Sequence, residues 1–297
     1  MTYVVGFSPH KDDHGAIALA CQLARSDLDD VHAVAVVPQG WPTAVAGDTD
    51  RDFESWAAEQ GRAAVADAAG LLAEHPDVSS TTSWVAGRSV PQALLDRAHQ
   101  QGAGLIVVGS GDDGAIGRIS LTSKVDRLLH SSPLPLAIAP RGYQAGPDAR
   151  VTRVTVGFRG DDATWVLLDR VAEILQRVDA SIRLVTFAVR APSMYPPRIA
   201  RAEDQVHEQW QRQAEHGLAE AADHLTSLGF ARDRIDTAVA GGRSWSAAME
   251  GVEWQDGDVL VVGSSSTHRL AQVFLGSSAA KIVRLSPVPV IVVPAVR

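Results

Sequence analysis

A single cysteine in 297 residues excludes an internal disulfide. Cys21 lies among Ala18, Leu19, Ala20 and Leu23 in a helical pattern, so it reads as a buried apolar residue. No apolar run approaches the roughly 20 residues that a membrane-spanning helix needs. The N-terminus has no basic segment followed by an apolar core, so a secretory signal is not expected. The cytoplasm is the expected compartment, with no membrane partner. Positive charge is also short, with 27 basic residues against 35 acidic and a net charge of -8. Residues 1–150 carry 18 acidic and 11 basic side chains, leaving 17 and 16 for the remainder. Neither half has the basic excess that binding to a phosphate backbone demands, so nucleic acid is not an expected partner.

Catalytic signatures are missing as well. The sequence has no Gly-x-Ser-x-Gly elbow, no His-Glu-x-x-His pair and no Gly-Lys-Thr phosphate loop. Ser89 and Ser244 have no base at a fixed spacing. The chain is not expected to be an enzyme.

What the chain does have is a duplication. Tyr3-Val4-Val5-Gly6-Phe7 matches Val154-Thr155-Val156-Gly157-Phe158, and Ala86-Gly87-Arg88-Ser89 matches Gly241-Gly242-Arg243-Ser244. Leu105–Ser110 matches Val259–Ser264, and Leu134–Pro140 matches Val288–Pro294. Four blocks in one order at a nearly constant offset define two copies, Met1–Gly142 and Val151–Arg297. Gly142–Ala149, with Gly146, Pro147 and Asp148, is the natural linker.

Within the first copy, β-branched runs predict strands at Thr2–Phe7, Val31–Val37, Thr81–Ala86, Leu105–Gly109 and Leu134–Ala139. Helical periodicity predicts helices over Asp13–Arg25, Asp52–Glu74, Val90–Gln101 and Thr122–Leu129. The second copy repeats the order, with a long helix across Ala200–Leu228. Strands that are apolar throughout are buried on both faces, as in a parallel sheet. Alternating βα units therefore predict a doubly wound α/β fold in each copy.

In such sheets ligands bind beyond the carboxyl ends of the strands. The loops after the fourth strands are Gly109-Ser110-Gly111-Asp112 and Gly263-Ser264-Ser265-Ser266. Each leads to a small pair opening the last helix, Thr122-Ser123 or Gly276-Ser277. A small-residue loop before such a helix start can cradle phosphate. An ordinary turn and N-cap draw on the same residues.

The whole combination resembles the universal stress protein family, twice over and across nearly the full chain. The resemblance implies two tandem five-stranded parallel sheets, order 3-2-1-4-5, with helices on both faces and a pseudo-two-fold relation. Some members of that family bind ATP and others act through partners.

ATP-binding members share Gly-x-x-Gly, nine further residues, then Gly-[Ser/Thr], plus an aspartate ending the first strand that would accept hydrogen bonds from ribose. Here Asp112 and Thr122 replace two of the glycines in the first copy. In the second copy only Ser266 departs, and Gly263, Gly276 and Ser277 are kept. Ser8 and Arg159 stand where the aspartate would be. A carboxylate at Asp112 about 5 Å from a phosphate costs roughly 3 kcal/mol per like-charge pair, about two decades of affinity. A divalent ion on Asp112 or Asp113 would reverse that sign. The second copy is therefore the better ATP site, with Gly263, Ser264, Ser266, Gly276, Ser277 and Arg159 around it. By the same resemblance, Phe187 faces adenine there, as Val36 would in the first copy.

Two other clusters are discounted. His10 and His14 beside Asp12 and Asp13 could hold a metal if helical, but they fall where a strand enters a helix. His207, Glu208, Glu215 and His216 read as a solvated helix face. Three expectations follow. One is an interaction protein with both nucleotide sites degenerate, acting on a protein partner or as a homodimer. The second is a module binding adenine nucleotide in its second copy only. The third, a hydrolase acting on nucleotides, has only the general fold behind it.

Overall fold

Val4 and Val5, Val31 and Val34, and Ile106 and Val107 are buried from both sides because every central strand is covered by helices on each face. The structure is a computed structural model and describes residues 1–8, 14–40, 48–189, 200–264 and 275–294. The chain divides into two compact units, Met1–Arg150 and Val151–Arg297.

The first unit runs β1 (Thr2–Phe7), α1 (Gly15–Asp27), β2 (Asp30–Pro38), α2 (Asp48–Leu72), β3 (Ser80–Gly87), α3 (Val90–Gln100), β4 (Ala103–Gly109), α4 (Ser123–Ser131) and β5 (Leu136–Ala139). Its strands are all parallel in the order β3-β2-β1-β4-β5. The second unit runs β6 (Arg153–Gly157), α5 (Asp162–Leu175), β7 (Ser181–Val189), α6 (Ala200–Ser227), β8 (Ile235–Gly242), α7 (Trp245–Glu250), β9 (Asp258–Gly263), α8 (Ser277–Leu285) and β10 (Val290–Val293). Its order is β8-β7-β6-β9-β10, again all parallel. In each unit the order reverses beside the first strand, which opens a crevice at the strand ends.

Caps set several helix starts. The side chains of Ser89, Asp161 and Ser244 accept from the backbone N–H groups of Gln92, Thr164 and Ala247. The first helix begins later than its periodicity predicts, at Gly15, behind an N-cap His14 that makes no side-chain capping bond.

Each unit also buries charge. In the first, Arg25 donates to both carboxylate oxygens of Asp77 at 2.5 and 2.9 Å. Its Nη1 also donates to Ala149 O at 2.9 Å. Arg25 holds the Asp77 carboxyl down to about 2. Nearby Cys21 is fully buried, and burial pushes its thiol up to about 11, so it is an inert core residue.

In the second unit, Arg153 grips fully buried Asp258 with Nε at 2.8 Å and Nη2 at 2.6 Å. Arg183 reaches the same carboxylate at 3.4 Å, donates to Thr155 Oγ1 at 3.0 Å, and stacks 5.1 Å from the Trp254 ring. This network joins the amino ends of β6, β7 and β9.

Candidate functional site

The carboxyl ends of three neighbouring strands of the second unit meet over one cleft of about 490 Å³. β6 sends Gly157, Phe158 and Arg159 into it, β7 sends Val185, Thr186 and Phe187, and β9 sends Val262, Gly263 and Ser264. The first turn of α8 closes one wall with Gly276, Ser277, Ser278 and Ala279.

Local hydrogen bonds hold these ends in place. Phe158 N donates to Val185 O at 2.9 Å, and Thr186 Oγ1 donates back to Phe158 O at 2.8 Å. Ser264 N donates to Val293 O at 2.9 Å, which fixes the end of β9 on β10. Gly160 takes a positive φ of 78°, a conformation that suits glycine, and turns the chain into α5.

Two properties of the cleft matter chemically. Its aromatic lining includes Phe187, Trp210 and Trp245, apolar rings on which a base can stack, and the buried Phe158. Its α8 side presents the N-terminus of a nine-residue helix whose N-cap is Gly276, with no side-chain capping bond. Among the described residues no side chain caps this start, and a helix N-terminus favours an anion. Among the described lining residues Arg159 is the only ionisable one. It pairs with Asp161, the N-cap of α5.

Six of the seven residues singled out from the sequence, Gly263, Ser264, Gly276, Ser277, Phe187 and Arg159, line this single cleft. Ser266 lies outside the described residues. Sequence reasoning did not place Phe158, Thr186, Trp210 or Trp245 in the site. In the sequence Trp210 is a large aromatic among polar neighbours on a predicted helix, which alone does not place it in the cleft.

The corresponding loop of the first unit is closed by its own atoms. Gly111 N donates to Ser120 O at 2.9 Å, and Ser120 N donates to Ser110 Oγ at 2.7 Å. Thr122 Oγ1 accepts from Val125 N at 3.3 Å and so caps α4 itself. The loop is also tight, since a Cβ on Gly111 would sit 2.6 Å from Thr122 Cγ2. Arg141 completes the closure by donating from Nη1 to Gly114 O at 2.5 Å. The N–H groups of Gly111 and Ser120 are thus engaged within the loop itself. Asp112 instead lines a separate hollow of about 890 Å³ with His14, His75, Arg141 and Tyr143.

Of the discounted clusters, His10, Asp12 and Asp13 lie outside the described residues. His14 stacks on Phe7 with ring centroids 6.4 Å apart. Glu208 and His216 are exposed on α6 and pair along it with Arg212 and Glu220, as a solvated face does.

Comparison with known proteins agrees with the duplication. The model of a family described as the universal stress protein family matches residues 1–140 and again 150–294. A universal stress protein of Mycobacterium tuberculosis is 35% identical over 296 residues, covering 99% of this chain and 100% of that one. Another from Mycolicibacterium smegmatis is 25% identical over 297 residues, covering 98% of this chain and 96% of that one. The crystal structure of a universal stress protein from Archaeoglobus fulgidus matches with a TM-score of 0.62 at 15% identity. That match covers 99% of this chain and 98% of the other, and shows likeness of fold. No helix among the described residues is long and apolar enough to cross a membrane.

Proposed function

The chain belongs to the universal stress protein family, and we propose that it is a regulatory binding protein whose second unit takes an adenine nucleotide while its first unit takes none. One observation carries this reading. Ser264 at the end of β9 and the start of α8 at residues 276–279 line one cleft with Phe187 and Trp245, while in the first unit the segment after β4 is bound by its own hydrogen bonds.

In this reading the base lies against Phe187 and Trp245. The phosphates meet the backbone N–H groups at the start of α8 and the hydroxyls of Ser264, Ser277 and Ser278. The reading is one of binding rather than turnover. No histidine, lysine or carboxylate is among the described residues lining the cleft, so none of them can activate water.

The test is calorimetric titration of the full chain with ATP and ADP, with and without magnesium, followed in parallel by tryptophan fluorescence. One saturable site per chain is expected, lost in Gly276→Asp, which sets a carboxylate at the helix start. Absence of any saturable signal up to about 1 mM nucleotide overturns the reading.

A second reading, an interaction protein with both sites idle that engages a protein partner or a second copy of itself, is favoured by the closed Ser110–Thr122 loop. It becomes the better account if the titration is silent.

A further inference from the structure

We infer that the nucleotide of the second unit carries a phosphate on its ribose, at the 2′ or 3′ position, and that Arg159 selects it. This rests on the nucleotide reading above and adds a ligand class to it.

Strand order supplies the first argument. β7, β6 and β9 are consecutive neighbours in the sheet. β7 contributes aromatic Phe187, β9 contributes Gly263 and Ser264, and β6, between them, contributes Arg159. Neighbouring strands lie about 4.8 Å apart, so β7 and β9 are about 10 Å apart. That is the reach of a nucleotide from its base to its 5′-phosphate. With the base over β7 and the 5′-phosphate over β9, the sugar falls over the end of β6, beside Arg159.

The chemistry of Arg159 supplies the second. A ribose hydroxyl offers one proton and two lone pairs, so a guanidinium, with five N–H donors and no acceptor, can meet its oxygen but not its proton. A phosphate ester is its natural counterpart, because the planar fork can give two parallel charge-assisted bonds. In dinucleotide folds, a carboxylate at the ribose-facing position accepts the 2′-hydroxyl, and an arginine nearby accommodates a 2′-phosphate.

Placement supplies the third. Arg159 is 61% exposed, and its one ion pair among the described residues is to Asp161 through Nη2. Asp161 is itself fixed, because its Oδ1 accepts from Thr164 N at 3.0 Å as the cap of α5. The pair thus tethers the guanidinium without burying it. A second hollow of about 280 Å³ shares Phe158, Arg159, Thr186 and Trp210 with the cleft. Arg159 therefore borders both spaces.

The experiment compares AMP with adenosine 2′,5′-bisphosphate and adenosine 3′,5′-bisphosphate by calorimetry, on the full chain and on Arg159→Gln. At least one bisphosphate is expected to bind the parent about tenfold more tightly than AMP. In Arg159→Gln the ratio of bisphosphate to AMP affinity is expected to fall to about one, because Gln keeps donors but removes the charge. Equal affinity of the parent for all three ligands, or a preference that survives Arg159→Gln, overturns the inference and leaves the nucleotide reading standing. Failure of AMP, ATP and both bisphosphates to bind the parent overturns the nucleotide reading and this inference with it.

Discussion

The rings of Phe187 and Trp245 stand 6.4 Å apart at 40°, and Lys281 Nζ lies 5.7 Å from the centre of the Trp245 ring. Two aromatic faces, one from the end of β7 and one from the start of α7, therefore flank the same side of the cleft. The nearby ammonium favours the electron-rich face of the indole.

Trp245→Ala is accordingly expected to weaken adenine nucleotide binding by about 10-fold, in line with the roughly 1–3 kcal/mol that base–aromatic stacking contributes. It should also remove most of the fluorescence change seen on titration. A variant that binds ATP like the parent would move the base away from Phe187 and Trp245.

Stability depends on the opposite end of the same three strands. Asp258 is fully buried and receives Arg153, Arg183 and the backbone N–H of Gln255. Asp258→Ala leaves two cations facing one another without their shared anion. A loss of about 3–5 kcal/mol is expected, read from urea unfolding midpoints. Burial, and then the charge of Arg153, already lower the pKa of the Arg183 guanidinium. A loss below about 1 kcal/mol would show that solvent, not Asp258, balances the two arginines.

A contribution to acid sensitivity is expected from Asp77 in the first unit. Its carboxyl is held at about 2 chiefly by the hydrogen bonds from Arg25, below the unfolded value of about 3.9. A depressed carboxyl contributes stability that is fully present above the unfolded value. That contribution is lost as pH falls toward the folded value. Asp77→Asn should therefore be less stable than the parent at neutral pH, with the gap closing between about pH 4 and about pH 2. Urea midpoints measured across that range check this, and a gap that stays constant would rule out the Arg25–Asp77 pair as its source.

The strands were legible because an all-apolar run such as Leu105–Val108 or Val259–Val262 has few other stable placements than the middle of a parallel sheet. The site was legible wherever it is built from strand ends. Arg159, Phe187 and Gly263 each follow or close a recognisable strand, and parallel topology brings all such ends to one edge. Trp210 was not, since its place in the cleft depends on how α6 is rotated against β7 and β8, and periodicity alone does not fix that. The Arg153–Asp258–Arg183 network was hidden for a related reason. Each residue sits near the amino end of its strand, where a lone charge reads as an exposed boundary, and only the register of β6 with β7 and β9 brings them together.

The closed loop of the first unit also bears on how the two halves can diverge. Thr122, Ser110 and Ser120 each satisfy a different backbone N–H, and Gly111 leaves no space against Thr122. Restoring glycine at position 122 would free one donor and leave the bonds between Ser110, Gly111 and Ser120 intact. Reopening the first crevice thus needs several substitutions at once, with no gain in binding from any one of them alone. The loop is held by several bonds together, so that a single substitution leaves it shut.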